Sequence, residues 1–137
     1  MIVKFVYFLL TNILILTAQN KAVNIIFMDF NEYQEFTKTT ALYPKIGGHG
    51  ILYPILGLSG EAGEVSEKIK KIFRDKNGVF GVDDTAEIAK ELGDVLWYIS
   101  QISAELGIDL DDVATRNISK LTSRKDREQL HGNGDNR

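Results

Sequence analysis

Beyond Met28 the apolar positions of this chain recur at steps of three and four, the period of helices that bury one face. No stretch alternates as a half-buried strand would. Asp29, with Glu32 three residues later, fits a capping box in which Asp takes the usual Ser or Thr place, and predicts a first helix ending near Tyr43-Pro44. Lys45 to Gly50, with three glycines, predicts a mobile loop. A second helix is expected from near Pro54, tolerated in a first turn, to about Arg74, with the apolar stripe Leu58, Ala62, Val65, Ile69 and Ile72. Asp75 to Asp83 contains Asn77-Gly78 and Gly81 and reads as a loop. A third helix follows from Asp84 or Thr85 to about Leu106, where Gly107 stops it; its stripe is Ile88, Leu92, Val95, Leu96, Ile99, Ser103 and Leu106. Trp97 and Ala104 lie on its far side, so it is expected to be buried twice, the second time against another subunit. Asp109 is expected to cap a fourth helix, Leu110 to about Arg124, with the stripe Leu110, Val113, Ala114, Ile118 and Leu121. The fold class is therefore all-α, a four-helix-bundle core.

Residues 1 to 27 differ from the rest: they hold Lys4 and Lys21 but no acid, glycine or proline. The apolar run Phe5 to Leu16, broken by Thr11 and Asn12, is short for a membrane span and resembles a signal-peptide core. Three readings stay open: an extension outside the functional domain with the true start at Met28, a signal or anchor, or a packed N-terminal element. We favour the first. The division is then 1–27, a functional domain over 28–125, and a tail over 126–137 expected to be disordered.

Composition narrows the chemistry. A length of 137 residues fits one domain, small enough that a second subunit would help to bury surface. A net charge of −3 gives no basic surplus for a nucleic-acid polymer. No cysteine is present, which excludes disulfides, thiolate metal sites and thiol nucleophiles, and His49 and His131 are the sole imidazoles. A metal site must be built from oxygen ligands, which points to Mg²⁺ or Mn²⁺ rather than zinc.

Candidate oxygen ligands stand in G-L-S-G-E-A-G-E-V-S-E-K-I-K-K, Gly57 to Lys71. Glycine inside a helix costs on the order of 1 kcal/mol against alanine, so Gly57, Gly60 and Gly63 imply close approach by a neighbour. At about 100° per residue, Glu61 borders the buried stripe, Glu64 stands one turn along the same flank, and Glu67 faces outward, four residues before Lys71. Glu67 reads as a solvated ion pair, whereas two acids beside a core need a neutralising cation. The third helix repeats the spacing in E-L-G-D-V-L-W-Y with Glu91 and Asp94. If the two helices pack antiparallel, the four carboxylates converge and bind a hard divalent cation. Asn117, Lys120 and Arg124 share a flank of the fourth helix. Each alone is an ordinary surface residue, while together they suit phosphate oxygens, Arg by bidentate contact. Carboxylates, metal and phosphate binders together indicate metal-assisted phosphoric-anhydride chemistry. Tyr43, Tyr53, Phe80 and Trp97 are each readable as base-stacking, core or interface, and His49 reads as a solvent-exposed loop residue.

The three stretches G-L-S-G-E-A-G-E-V-S-E-K-I-K-K, E-L-G-D-V-L-W-Y-I-S and L-G-I-D-L-D-D-V-A-T-R-N-I-S-K-L-T-S-R closely resemble MazG-like proteins of the all-α nucleoside triphosphate pyrophosphohydrolase superfamily. Y-Q-E-F-T-K-T-T-A-L-Y-P is similar to the opening helix of many members. The resemblance covers most of Met28 to Arg124 and implies Mg²⁺-dependent hydrolysis of nucleoside or deoxynucleoside triphosphates to monophosphate and pyrophosphate. It implies metal ligation by Glu61, Glu64, Glu91 and Asp94, and nucleotide contact by Asn117 and Lys120, with Arg124 as a further phosphate partner. Glu64 would activate the attacking water, and Lys120 with Arg124 would stabilise the leaving pyrophosphate. Gly60 departs from the pattern, standing where many members carry the first acid. A homodimer or dimer of dimers, with the nucleotide near a subunit boundary, and a cytoplasmic location without membrane attachment are also implied. Two other classes compete: a catalytically silent helical dimer that binds metal or nucleotide to regulate a partner, and a di-iron bundle, which lacks the Glu-x-x-His pairs it needs.

Overall fold

Four helices, α1 (Phe30–Lys38), α2 (Leu52–Lys76), α3 (Val82–Glu105) and α4 (Leu110–Asp126), make up the computed structural model, which describes residues 28–131. Among the described residues there is no strand, and the all-α class expected from the periodicity is the one observed. The expectations for residues 1–27 and for the end of the tail, 132–137, lie outside the described residues.

α2 and α3 form the long antiparallel hairpin at the centre, and α1 packs against both α3 and α4. The cross-contacts give the register: Gly57 meets Tyr98, Lys68 meets Glu91 and Glu87, and Lys76 meets Asp84, one number falling as the other rises. Asn77, in the left-handed region with φ 51°, and Gly78, with φ 78°, end α2, and the Gly78 N–H donates to the Ile72 carbonyl at 3.2 Å. α2 thus runs two residues beyond the expected Arg74. α3 starts earlier than expected because Asp84 Oδ2 accepts the Gly81 N–H at 3.0 Å, while Lys76 Nζ donates to both Asp84 oxygens at 2.6 and 2.7 Å.

The Asp29–Glu32 box forms, with Asp29 Oδ1 accepting the Glu32 N–H at 2.7 Å. α1 stops at Lys38, well short of Tyr43. The threonines explain it: Thr37, Thr39 and Thr40 each donate a hydroxyl back to a carbonyl three residues earlier, and such local bonds compete with the helical ladder. The loop expected at Lys45 to Gly50 is built around a hydrogen-bonded turn. Ile46 and His49 exchange both backbone bonds around Gly47 and Gly48, whose φ values of 59° and 84° suit a primed hairpin turn.

Burial departs from the apolar stripes. Ile72 and Leu110 are buried, but so are the polar Gln34, Thr37, Ser100, Gln101 and Ser103. α1 and α3 meet through hydroxyls, Thr37 Oγ1 and Ser100 Oγ lying 2.7 Å apart. Ala62 in α2, Leu92 and Leu106 in α3, and Val113, Ile118 and Leu121 in α4 belong to the expected stripes yet remain exposed in one chain. Trp97, assigned above to a subunit contact, finds a partner within its own chain: Nε1 donates to Thr40 Oγ1 at 2.8 Å, and the ring packs edge-on against Tyr43 and Tyr98.

Candidate metal and nucleotide site

The antiparallel hairpin brings three of the four expected acids together. Glu61 and Glu64 on α2 and Glu91 on α3 each offer a carboxylate oxygen, and these oxygens all lie within 4.8 Å of one another. Asp94, one turn past Glu91, stands beside this group, and its charge reaches Glu61. Glu61 and Glu91 are half-buried, while Glu64 and Asp94 are exposed. The carboxyl of Glu61 is pushed up, first by partial burial and then by the charges of Glu64, Asp94 and Glu91, with a hydrogen bond to Glu91 adding to it. Carboxylates crowded in this way resist ionising together, and a divalent cation relieves that cost. The oxygen-only donor set fits Mg²⁺ or Mn²⁺.

Two tyrosines feel the charge of these acids. The Tyr33 hydroxyl on α1 is raised by burial and then by Asp94, and that of Tyr98 on α3 by burial and then by Tyr53, Glu61 and Asp94. Tyr53 stacks on Tyr43 with ring centres 5.2 Å apart, and Tyr43 donates its hydroxyl to Glu105 Oε1 at 2.9 Å. Burial first and this bond second push Tyr43 up to about 12. Tyr43, Tyr53 and Trp97 thus form one aromatic group with Tyr98, whereas Phe80 sits apart, edge-on to Phe73 at the turn between α2 and α3. The sequence reading passed over Tyr33 and Tyr98, although Tyr98 stands four residues after Asp94 on one helix face.

It also passed over Lys68. Its ammonium lies 3.1 Å from Glu91 Oε1 and 3.4 Å from Glu87 Oε2. The signal was its place four residues after Glu64, one turn along the same flank. Glu67, by contrast, pairs with Lys70 and Lys71 as a surface acid should, and these pairs hold it below the usual carboxylate range.

Asn117 and Lys120 line a separate groove with Ile108, Val113 and Arg116, and none of the four acids shares its lining. Arg124, expected beside them, is 5% exposed and does not line that groove. At the last turns of α4 its stem is enclosed, where spacing alone placed it on an open flank. Gly57 lies under the Tyr98 ring, so a Cβ there would overlap it, whereas Gly60 and Gly63 face open space.

The MazG nucleotide pyrophosphohydrolase domain matches residues 52–128, which hold all four acids, Asn117, Lys120 and Arg124. The chain belongs to this family. It is also 45% identical over 114 residues to Gene 37 protein of Mycobacterium phage L5, an alignment that covers 80% of this chain and 100% of the phage protein. No solved structure matches it significantly. Among the described residues no helix is long and apolar enough to cross a membrane.

Proposed function

We propose that the protein hydrolyses nucleoside or deoxynucleoside triphosphates to the monophosphate and pyrophosphate with Mg²⁺, for which Mn²⁺ can substitute, in control or cleansing of the cytoplasmic nucleotide pool. The observation that carries this reading is the convergence of Glu61, Glu64 and Glu91 from two helices, inside the span matched by the family.

Glu61, Glu64 and Glu91, with Asp94 beside them, would hold the metal. When bound, it offsets triphosphate charge and polarises the phosphorus under attack. Glu64 is the most open of the three converging acids and is assigned to orient the attacking water and take its proton. Lys120 opposes the charge that grows on the leaving pyrophosphate, and Asn117 contacts the nucleotide beside it. Arg124 would reach a phosphate only by leaving its buried position. Since the α4 groove and the acids are lined separately, a homodimer or dimer of dimers with the nucleotide at the subunit boundary belongs to this reading. Leu92, Leu106 and Ile118, exposed by 52%, 56% and 64%, support a second copy.

A chain starting at Met28, offered a panel of ribo- and deoxyribonucleoside triphosphates with Mg²⁺, is expected to release pyrophosphate and monophosphate in equal amounts, and to sediment as a dimer or larger. Failure with every triphosphate, for this chain and the full one and with either ion, would refute the activity. Gly60, standing where the family resemblance implies an acid, favours one second reading: a module that binds nucleotide without turnover. It would show as triphosphate binding in the same panel with no product.

A further inference from the structure

We infer that Lys68 is the resident counter-cation of the carboxylate cluster, held on Glu91 until a divalent metal displaces it. This rests on the metal-site reading above and adds to it a competitor encoded in the chain. Lys68 leaves α2 one turn after Glu64, on the flank that carries Glu61 and Glu64. Its Nζ bridges Glu91 Oε1 at 3.1 Å and Glu87 Oε2 at 3.4 Å, two acids one turn apart on α3.

Enclosure of both partners separates this pair from the Lys70–Glu67 and Lys90–Glu87 pairs nearby. The Glu91 side chain is 13% exposed and that of Lys68 30%, while in the Lys70–Glu67 and Lys90–Glu87 pairs all four side chains are at least 44% exposed. Exposed pairs are worth little, but a partly enclosed ammonium on one oxygen of a cluster acid neutralises charge that the other carboxylates would otherwise oppose. The same placement sets it against a metal. Glu91 is both the contact of Lys68 and a member of the three-carboxylate group, so a second cation meets a carboxylate already paired through Oε1 and the positive charge that pairs with it. Glu87 gives the lysine somewhere to go. It lies outside the three-carboxylate group, already holds Lys68 at 3.4 Å, and can keep the ammonium when Glu91 turns to a metal.

Removing the ammonium and removing its alternative anchor should therefore act in opposite directions. Mg²⁺ and Mn²⁺ titrations by calorimetry, with thermal unfolding with and without each ion, test this on the full chain. Lys68→Met is expected to tighten metal binding by about tenfold, the scale of one nearby unit charge acting on a divalent ion in water. It should also lower the melting temperature of the metal-free protein and enlarge the rise on adding metal. Lys68→Gln, which keeps a polar head without charge, repeats the measurement should the Met variant fold poorly. Glu87→Gln is expected to weaken binding several-fold, because Lys68 then rests on Glu91 alone. Unchanged or weaker affinity in both Lys68 variants, with normal binding by the wild type, overturns the inference and leaves the metal site standing. A wild-type chain that binds neither ion overturns both.

Discussion

Gln34 closes the first turn of a helix 76 residues away: its Oε1 accepts the Leu110 N–H at 3.0 Å, and its Nε2 donates to the Ile108 carbonyl at the same distance. Asn31 adds a second bond, Oδ1 accepting the Asp111 N–H at 3.1 Å. Asp109, at the N-cap position, makes no side-chain cap bond, so α1 does the work expected of it. The helix that carries Asn117 and Lys120 is thus positioned by two amide side chains of α1.

Gln34→Ala would leave the Leu110 N–H buried without its acceptor. Loss of a cap bond of this kind costs about 1–3 kcal/mol, seen as a lower urea midpoint with an unchanged slope. Amide exchange should rise first at the start of α4.

The glycines of α2 divide into two kinds. Gly57→Ala is expected to destabilise by roughly 1–3 kcal/mol, since its methyl group overlaps the Tyr98 ring. Gly63→Ala meets nothing within 4 Å and should stabilise by up to about 1 kcal/mol through helix propensity. Denaturant unfolding of the two variants side by side measures the contrast. A destabilised Gly63→Ala protein would mean that another copy occupies that open face.

Glu61 contributes to the pH dependence of the metal-free protein with a sign opposite to that of the ion-paired Glu67, Asp75, Asp84 and Glu87, whose carboxyls are held low. Its carboxyl is raised in the fold, so between its ordinary range and the raised value the native state binds more protons than the unfolded one. The Glu61 contribution is therefore fully present in acid and is lost as the pH rises through that window. Glu61→Gln should remove this decline, raise the metal-free melting temperature at neutral pH by a few degrees, and abolish the stabilisation that metal gives. Melting curves from pH 4 to pH 8, with and without Mg²⁺, read all three.

The proposed hydrolysis gives Glu64 and Lys120 separable roles. Glu64→Ala should lower pyrophosphate release by roughly 100-fold or more, the scale of a lost general base. Lys120→Ala should lower turnover while leaving Mg²⁺ affinity measured without nucleotide unchanged, because the groove that Lys120 lines includes none of the four acids. Steady-state kinetics with metal titrations distinguish the two.

Much of this was legible in the chain. Glu61, Glu64 and Glu91 were readable because a spacing of three keeps acids on one helix flank, and two such helices joined by Asn77-Gly78 fold back antiparallel. The threonine-rich end of α1 was less legible, since hydroxyls that bond back to the ladder look, in sequence, like ordinary helix positions. Gln34, Thr37, Ser100 and Gln101 were missed as core residues because a hydrophobic stripe gives no weight to polar groups that satisfy one another when buried. Arg124 was misplaced for the opposite reason: helical spacing gives a side chain's direction but not what lies over it.

The chain's own pattern dictates the helical class and the order of the four helices, and sets Glu61 with Glu64 and Glu91 with Asp94 each on one helix flank, because period and spacing are local properties of a helix. The tertiary structure alone decided that Lys68 lies on Glu91, that Gln34 caps α4, that Trp97 packs on its own chain and that Arg124 is enclosed. Each depends on which helix faces which, and at what register, and that relation is set by packing between segments distant in sequence.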